Sequence, residues 1–289
     1  MSKQESTVNI NTSSKDMDIE QIVTDAIRYA KNKGADHIEV SARNDKGYSV
    51  SSRLGDIETL EHHNQRALGV TVYRGKAKGS ADSNDMRPSA IEDIIDAALS
   101  MASFTAEDES AGLADAELMA TNYPELELDR PWQLEPDQAL KIAMQCEDIA
   151  RDDERIVNSE GASVSTIRSE SIYANSHDFL GHYASPRHSI SCSVVAADEK
   201  GMQRDYWYSV ARDAQALDAV DSIGLKARER TLRRLNARSL STREVPVLFE
   251  PNIARSIFGH FFSAINGAAL GGGLELTFAC NYRLAVDSK

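Results

Sequence analysis

Apolar residues recur at helical spacing in four parts of the chain. The first part runs from about Met17 to Lys33 and is followed by Gly34, at the place where a left-handed helix cap is expected. Pro88 opens a second such part, and a third runs from about Pro136 to Arg151. In the fourth, Ala216 to Ala237, leucine, valine and isoleucine alternate with arginine. The pattern predicts four amphipathic helices.

Alternating polar and apolar residues occupy most of the remaining chain. Between Ala35 and Asp82, five short alternating stretches are separated by Asn-Asp, Gly-Asp and Arg-Gly turn signals, which predicts an antiparallel sheet of short strands. Strands dominate again after the third helix, up to Arg212. There Cys192 lies among apolar residues that alternate with serines, so we interpret it as a packed small hydrophobe rather than a nucleophile. The stretch EVPVLFEP, residues 244–251, predicts a further strand.

These patterns predict an α+β fold built from several units. Residues 17–103 form an N-terminal domain of helix, antiparallel sheet and helix, and the acidic, proline-rich residues 104–135 form a linker. A β-rich central domain covers residues 136–237. Residues 238–265 are interpreted as the start of a truncated third, C-terminal domain, and residues 1–16 as a flexible tail.

Composition narrows the possible functions. The 289 residues include 32 Lys and Arg against 45 Asp and Glu, and the net charge of -13 argues against nucleic-acid binding. The first residues show no signal-peptide pattern, and the glycine-broken stretch from Ala264 to Cys280 is too short to cross a bilayer. Three widely spaced cysteines fit a reducing compartment. We therefore expect a cytoplasmic protein without membrane contact.

The histidines do not follow a metal-ligand pattern. His177, His182 and His188 are close in sequence, but their spacings of five and six residues match no standard site, so ordinary polar loop residues are favoured. His62 and His63 would point to opposite faces of an extended strand, which prevents this pair from sharing an ion. We expect no metal ligands in this chain.

Three long stretches resemble the PmbA (TldE) branch of the TldD/PmbA metalloprotease family, in one register from Met17 to about Ile265. They are SSRLGDIETLEHHNQRALGVTVYRGKAKGSADSND, IVNSEGASVSTIRSESIYANSHDFLGHYASPRHSISCSVVAADEKGMQRDYWYSVAR and RTLRRLNARSLSTREVPVLFEPNIARSIFGHFFSAI. The resemblance implies a subunit of a heteromeric protease that acts in proteolysis and the maturation of peptides. A TldD-like partner supplies the zinc site on an HExxxH helix, and the substrates are peptides or unfolded proteins.

The residues agree with the resemblance on one point, because the sequence contains neither HExxH nor HExxxH. We therefore expect no cofactor in this chain, zinc in the partner, and a subunit that is inactive alone. Arg187, Arg204, Asp205 and Tyr206 lie in the most family-like part of the central domain and are candidates for contact with peptide or partner. Cross-strand charge pairs that hold a sheet together are the alternative reading of these four residues.

Residues 266–289 break the resemblance. With the preceding Ala264 and Ile265 they read AINGAALGGGLEL and ACNYRLA, which resembles the enoyl-CoA hydratase/isomerase (crotonase) family. That resemblance implies a thioester oxyanion donor at Gly272 and an acid/base at Glu275. The second oxyanion donor and the later glutamate of such a site have no counterpart, so no complete catalytic site is expected. A chimeric or truncated product is our hypothesis.

Two other functions stay open at this point. One is a non-enzymatic module that binds another protein. The other is a fragment of an acyl-CoA hydratase or isomerase, which would bind a thioester through Glu275.

Overall fold

The structure, a computed structural model, describes residues 19–121 and 124–265, and its regular elements mix helices with antiparallel strands. In chain order they are α1 (Ile19–Asn32), β1 (His37–Arg53), β2 (Asp56–Arg74), β3 (Ala77–Ser83), α2 (Pro88–Phe104), α3 (Pro136–Arg151), β4 (Ile156–Asn175), β5 (Leu180–Asp198), β6 (Gly201–Ala211), α4 (Val220–Arg233) and α5 (Pro251–Ile265). This content confirms the predicted α+β class. Compact packing divides the chain into two units, one up to Asn236 and one from Ala237.

The six strands of the first unit form a single antiparallel sheet in the order β3-β2-β1-β4-β5-β6. The central pair is β1 with β4, which places Glu39 opposite Asn175 and Ser52 opposite Ala162. Residues assigned above to an N-terminal and a central domain therefore contribute strands to the same sheet.

The strands of the first half are longer than their pattern predicts. β1 passes through the turn signal Asn44–Asp45 without interruption, because it pairs with β2 on one side and β4 on the other. The chain reverses instead at Leu54 and Gly55, whose φ angles of 54° and 84° suit a two-residue hairpin turn. The antiparallel sheet predicted between Ala35 and Asp82 is confirmed, but three long strands, rather than several short ones, occupy that region.

The helices of the first unit pack on one face of the sheet and build two apolar cores there. Helices α1 and α2 cover one core, which includes Ile38, Val40, Leu68, Val72 and Ile95. Helices α3 and α4 cover the other, which includes Ala143, Val164, Ile190, Val194 and Ile223. The predicted helix cap and apolar helix faces are confirmed. Gly34, after α1, has a left-handed φ of 88°, and the apolar faces of α1, α2 and α3 are buried.

The residues between α2 and α3 cross this helix-covered face between the two cores. Asp129 pairs with Arg168 of β4 at 2.7 Å, and the Tyr48 hydroxyl of β1 donates a hydrogen bond to the Leu134 carbonyl. Trp132 packs against the second core. The segment is thus fastened to the sheet at several points.

His188 lies beneath this segment, fully buried on β5. Its Nε2 is 3.0 Å from the Arg130 carbonyl oxygen, and its Nδ1 is 2.9 Å from the Thr166 hydroxyl. Because a carbonyl oxygen can only accept, Nε2 carries a proton and donates to Arg130, while Nδ1 shares a second hydrogen bond with the Thr166 hydroxyl. The interpretation of His188 as an ordinary polar loop residue was wrong, since it forms a buried link between strand and connection.

The second unit, taken by itself, contains helix α5 and, before it, a segment without regular secondary structure. The predicted strand at EVPVLFEP was wrong, because residues 244–250 form neither helix nor strand and Pro251 is the first residue of α5. Pro246 has no N–H to donate to a neighbouring strand, which weakens any pairing. Several side chains of α5 are more than half exposed, namely Ile253, Phe258, Phe261 and Phe262. The crotonase-like residues 266–289, with Gly272 and Glu275, lie outside the described residues.

No helix within the described ranges has both the length and the apolar character that crossing a membrane requires.

Candidate functional site

The sheet face opposite the helices is polar and rich in hydroxyl groups. Along β1, β4 and β5, the residues on this face alternate with buried ones and are half-exposed or exposed. Many of them are serines: Ser41, Ser49, Ser51, Ser163, Ser165, Ser169, Ser171, Ser185, Ser189, Ser191 and Ser193. We call this surface the hydroxyl face.

The strand register arranges these serines in rows across the sheet. Ser51 lies opposite Ser163, which lies opposite Ser191, and the Ser163 and Ser191 hydroxyl oxygens are 2.9 Å apart. A serine hydroxyl has one donor and two acceptor sites. The face can therefore hydrogen-bond both the N–H and the C=O groups of a polypeptide, without regard to its side chains.

A cavity of about 570 Å³ opens at one end of the hydroxyl face, where β4, β5 and β6 meet. It is lined by Ser51, Glu160, Gly161, Ala162, Ser163, Ser191, Cys192, Ser193, Arg204, Asp205, Tyr206 and Arg234. Gly161 shapes its floor, because its φ of 97° and the nearby backbone of Ser52 leave no room for a side chain. A built Cβ there would lie only 2.5 Å from the Ser52 carbonyl oxygen.

Glu160 and Arg204 form an ion pair at the solvent side of the cavity. The Arg204 guanidinium donates to Glu160 Oε1 at 2.7 Å, and the Ser193 hydroxyl donates to Oε2 at 2.8 Å. These two hydrogen bonds, that from Arg204 first, lower the pKa of Glu160 below its ordinary value. Both carboxylate oxygens of Glu160 are thus in use.

Asp205 is the buried acid of the cavity. Burial by itself would raise its pKa, but the Tyr206 N–H, 2.8 Å from Oδ1, and the Arg234 guanidinium, 3.3 Å from Oδ2, outweigh burial. The net effect lowers the pKa of Asp205, which keeps it ionised at neutral pH. Arg230 of α4 lies 3.6 Å from Oδ1 and adds to this stabilisation.

Three of the four candidate contact residues meet at the cavity. Arg204, Asp205 and Tyr206 line it, and the exposed Tyr206 ring stacks on Tyr208 with centroids 6.1 Å apart. Arg187 lies elsewhere on the hydroxyl face, opposite Ile167, and is not among the lining residues.

Sequence reasoning missed Glu160, Arg234 and the serine rows of β1 and β4. The ion-pair partners are far apart in the chain, since Glu160 lies 44 residues from Arg204. One signal was available, because the alternation of serine with apolar residues seen around Cys192 also occurs along β1 and β4.

Cys192 is buried, as predicted, and packs in the second core together with the buried Cys146. A hydrogen bond with Cys146, together with burial, raises the pKa of the Cys192 thiol far above its usual range. A thiol held neutral in this way is a packing group.

A zinc ion, which the metalloprotease resemblance implies, does not fit the described residues. Within them, no three His, Cys, Asp or Glu side chains are grouped so as to hold a metal. His182 comes nearest, with Nδ1 3.1 Å from Glu20 and Nε2 3.1 Å from Glu170. The two nitrogens point in opposite directions, so the two carboxylates and the ring cannot converge on one ion. The nitrogens of His188 are both engaged.

Two domains of a known protein family match the residues that form the two halves of the sheet. Residues 38–102 match domain 1 of the PmbA/TldA metallopeptidases, and residues 129–235 match their central domain. The chain is 40% identical over 256 residues to the Metalloprotease PmbA homolog of Haemophilus influenzae, covering 88% of the chain and 56% of that protein. It is 40% identical over 253 residues to Metalloprotease PmbA of Escherichia coli O157:H7, covering 87% and 56% respectively.

Solved structures share the fold. A candidate DNA gyrase modulator from Bacteroides thetaiotaomicron superposes with a TM-score of 0.78 at 23% identity, over 86% of this chain and 57% of that one. TldE from Thermococcus kodakarensis superposes with a TM-score of 0.58 at 18% identity, over 73% and 47%.

The matched domains define the class of protein, an α+β protein of the metallopeptidase type. In this chain the first and the central domain share one sheet. Since the two domain matches together cover more than half of the chain, it belongs to the PmbA/TldD metallopeptidase family. The chain spans 56% of the length of the curated relatives named above.

Proposed function

We propose that this chain is a PmbA/TldE-type subunit of a heteromeric, cytoplasmic TldD/PmbA-type metalloprotease that acts in proteolysis and peptide maturation. In this proposal a TldD-like partner supplies the zinc chemistry, and the chain contributes a surface that contacts the peptide. The family membership and the names of its relatives support the class of reaction.

The observation that carries the peptide-contacting role is the hydroxyl face with its terminal cavity. An extended peptide exposes one N–H and one C=O per residue, and every such group needs a hydrogen-bond partner when water is excluded. Serine rows such as Ser51, Ser163 and Ser191 offer such partners and do not discriminate between side chains. A surface of this kind suits a protease subunit that handles peptides of varied sequence.

The side chains that line the cavity can contact an end of the same peptide. The cavity at the end of the face is large enough for a few residues, and it presents charged and aromatic groups together. In the proposal, Arg204, Asp205 and Tyr206 contact the peptide there. Their ion pairs and hydrogen bonds hold the contacting atoms in place before a ligand arrives.

Reconstitution with a partner tests the proposed function. The purified chain and a TldD-like protein that contains the HExxxH motif are assayed separately and mixed, with a fluorogenic unfolded peptide as substrate. We expect cleavage only in the mixture, with loss of activity on adding a chelator. A matched control uses a partner whose motif glutamate is replaced by glutamine, which keeps the complex and removes the chemistry.

The outcomes separate the alternatives. Chelator-sensitive cleavage by the isolated chain would overturn the proposal, as would stoichiometric zinc bound to it in elemental analysis. Stable association of the two proteins without any gain in cleavage would favour a non-enzymatic binding module instead.

A further inference from the structure

The cavity presents two exposed arginine side chains that keep spare hydrogen-bond donors. Resting on the proposed function, we propose that it is a carboxylate-binding site, in which Arg204 and Arg234 anchor a carboxylate of the peptide that lies on the hydroxyl face. The carboxylate is either the C-terminus of the peptide or an acidic side chain within it.

Each acid that lines the cavity is already paired with an arginine. Glu160 accepts from Arg204 and Ser193, one donor for each oxygen. Asp205 accepts from the Tyr206 N–H and from Arg234. A cation that approached either acid would meet the arginine that already neutralises it, so a lysine side chain or an amino terminus is not the expected ligand.

The arginines, in contrast, keep most of their capacity. A guanidinium has five N–H donors in a planar fork that matches the two oxygens of a carboxylate. In the described residues the Arg204 and Arg234 side chains each donate one hydrogen bond, to Glu160 and Asp205 respectively. Their side chains are 71% and 54% exposed, whereas those of their partners Glu160 and Asp205 are 41% and 8% exposed. The more exposed charge of each pair is therefore positive, although the whole chain has a net charge of -13.

The surroundings suit the rest of such a peptide. The Ser163 and Ser191 hydroxyls begin at the cavity and continue the row toward Ser51, so a peptide backbone can leave the arginines along the sheet. The exposed Tyr206 ring, stacked on Tyr208, forms an apolar wall beside the arginines.

Fluorescence anisotropy with the full chain and three labelled peptides tests the site. All three are decamers of Gly, Ser and Ala apart from the groups named next, and each has a neutral BODIPY dye at the N-terminus, because fluorescein would itself bring a carboxylate. The first has a free C-terminal carboxylate, the second a C-terminal amide, and the third an amide together with two internal glutamates. We expect the amide peptide to bind about tenfold or more weakly than at least one carboxylate peptide, which is the effect of one lost charge-assisted interaction. Tighter binding of the first peptide would identify the C-terminus as the carboxylate, and tighter binding of the third would identify an acidic side chain.

Variants of the arginines complete the test. Arg204→Gln and Arg234→Gln are each expected to weaken binding of that carboxylate peptide about tenfold and to reduce its salt dependence. Arg233→Gln is the matched control, because Arg233 is an exposed arginine of α4 that does not line the cavity, and it should bind as the unchanged chain does. Circular dichroism confirms that each variant is folded, and Arg204→Lys should recover part of the affinity.

Equal binding of all three peptides would overturn the inference, and so would an equal effect of Arg233→Gln, or no binding at all. These results are distinct from failure of the proposed function. If the mixture with the partner cleaves peptide but no carboxylate preference is seen, the subunit role stands and the carboxylate site does not. If the carboxylate peptide binds and no partner-dependent cleavage occurs, the site stands alone.

Discussion

Replacement of the buried Glu147 should destabilise the second core of the sheet. Glu147 lies on α3, is fully buried, and reaches the tip of the β1–β2 hairpin. Its carboxylate accepts hydrogen bonds from the Leu54 N–H at 2.7 Å, the Ser52 hydroxyl at 3.2 Å and the Gly55 N–H at 3.4 Å. It thereby ties a helix to a hairpin turn that lies more than 90 residues earlier in the chain.

The magnitude follows from the donors that Glu147→Ala would leave without a partner. A buried donor that loses its acceptor costs roughly 1–3 kcal/mol, and the two shorter bonds come from Leu54 and Ser52. Removing the carboxylate also removes the cost of its burial, which offsets part of the loss. We therefore expect Glu147→Ala to lower the free energy of unfolding by about 2–4 kcal/mol. Glu147→Gln keeps one acceptor oxygen and should lose about 1–2 kcal/mol.

Urea unfolding followed by tryptophan fluorescence measures this effect, because Trp132 and Trp207 both pack against the second core. Asp148→Ala is the control, since Asp148 is exposed on the same helix and should change the free energy of unfolding by less than about 0.5 kcal/mol. Amide hydrogen exchange at Leu54 and Gly55 should also accelerate in Glu147→Ala. Equal unfolding midpoints for Glu147→Ala and Asp148→Ala would refute the reasoning.

Two further predictions concern packing and pH. In Gly79→Ala the new methyl carbon would lie 2.1 Å from a carbonyl oxygen of α2. We therefore expect the free energy of unfolding in urea to fall by at least about 2 kcal/mol. Gly259→Ala is the control, because the space around Gly259 is open, and it should leave the stability of the first unit unchanged. Arg234→Gln removes one of the groups that lower the pKa of Asp205. A lowered carboxyl pKa stabilises the fold above the pKa of the unfolded chain, near 4, and this gain is lost as pH falls through the folded value. The difference in urea midpoint between Arg234→Gln and the unchanged chain should therefore shrink from pH 6 to about pH 3. The control is Arg233→Gln, at an exposed residue, which should show no such trend. A difference for Arg234→Gln that stays constant over this pH range would contradict the prediction.

The helices could be predicted from the sequence because their determinants are local. Pro88 and Pro136 begin α2 and α3 as expected, and Gly34 follows α1 with the predicted left-handed backbone. The apolar spacing within each helix identifies the buried face without knowledge of what covers it. Each of these signals lies within a few residues of the feature that it determines.

The strand arrangement could not be predicted in the same way, because pairing depends on distant residues. The turn signal at Asn44–Asp45 is ordinary in isolation, but β2 and β4 hold it extended from both sides. Likewise, nothing near His188 in the sequence shows that the Arg130 carbonyl will lie above it. For the cavity, the residues Arg204 to Tyr206 were found as one stretch, whereas Arg234 comes to Asp205 from the end of another helix.

The shared sheet also couples the unfolding of the two matched domains. The pairing of β1 with β4 joins them through the middle of the sheet, and the residues between α2 and α3 close the other side of that junction. If the second domain unfolded alone, β1 would lose its β4 partner, and the Arg130 carbonyl would lose the His188 Nε2–H. Ile172 of β4 would also leave the first core, and burial of such a side chain is worth about 1.5–3 kcal/mol. We therefore expect the two domains to unfold together, and the cavity at the β4–β6 end to be held by the packing of both.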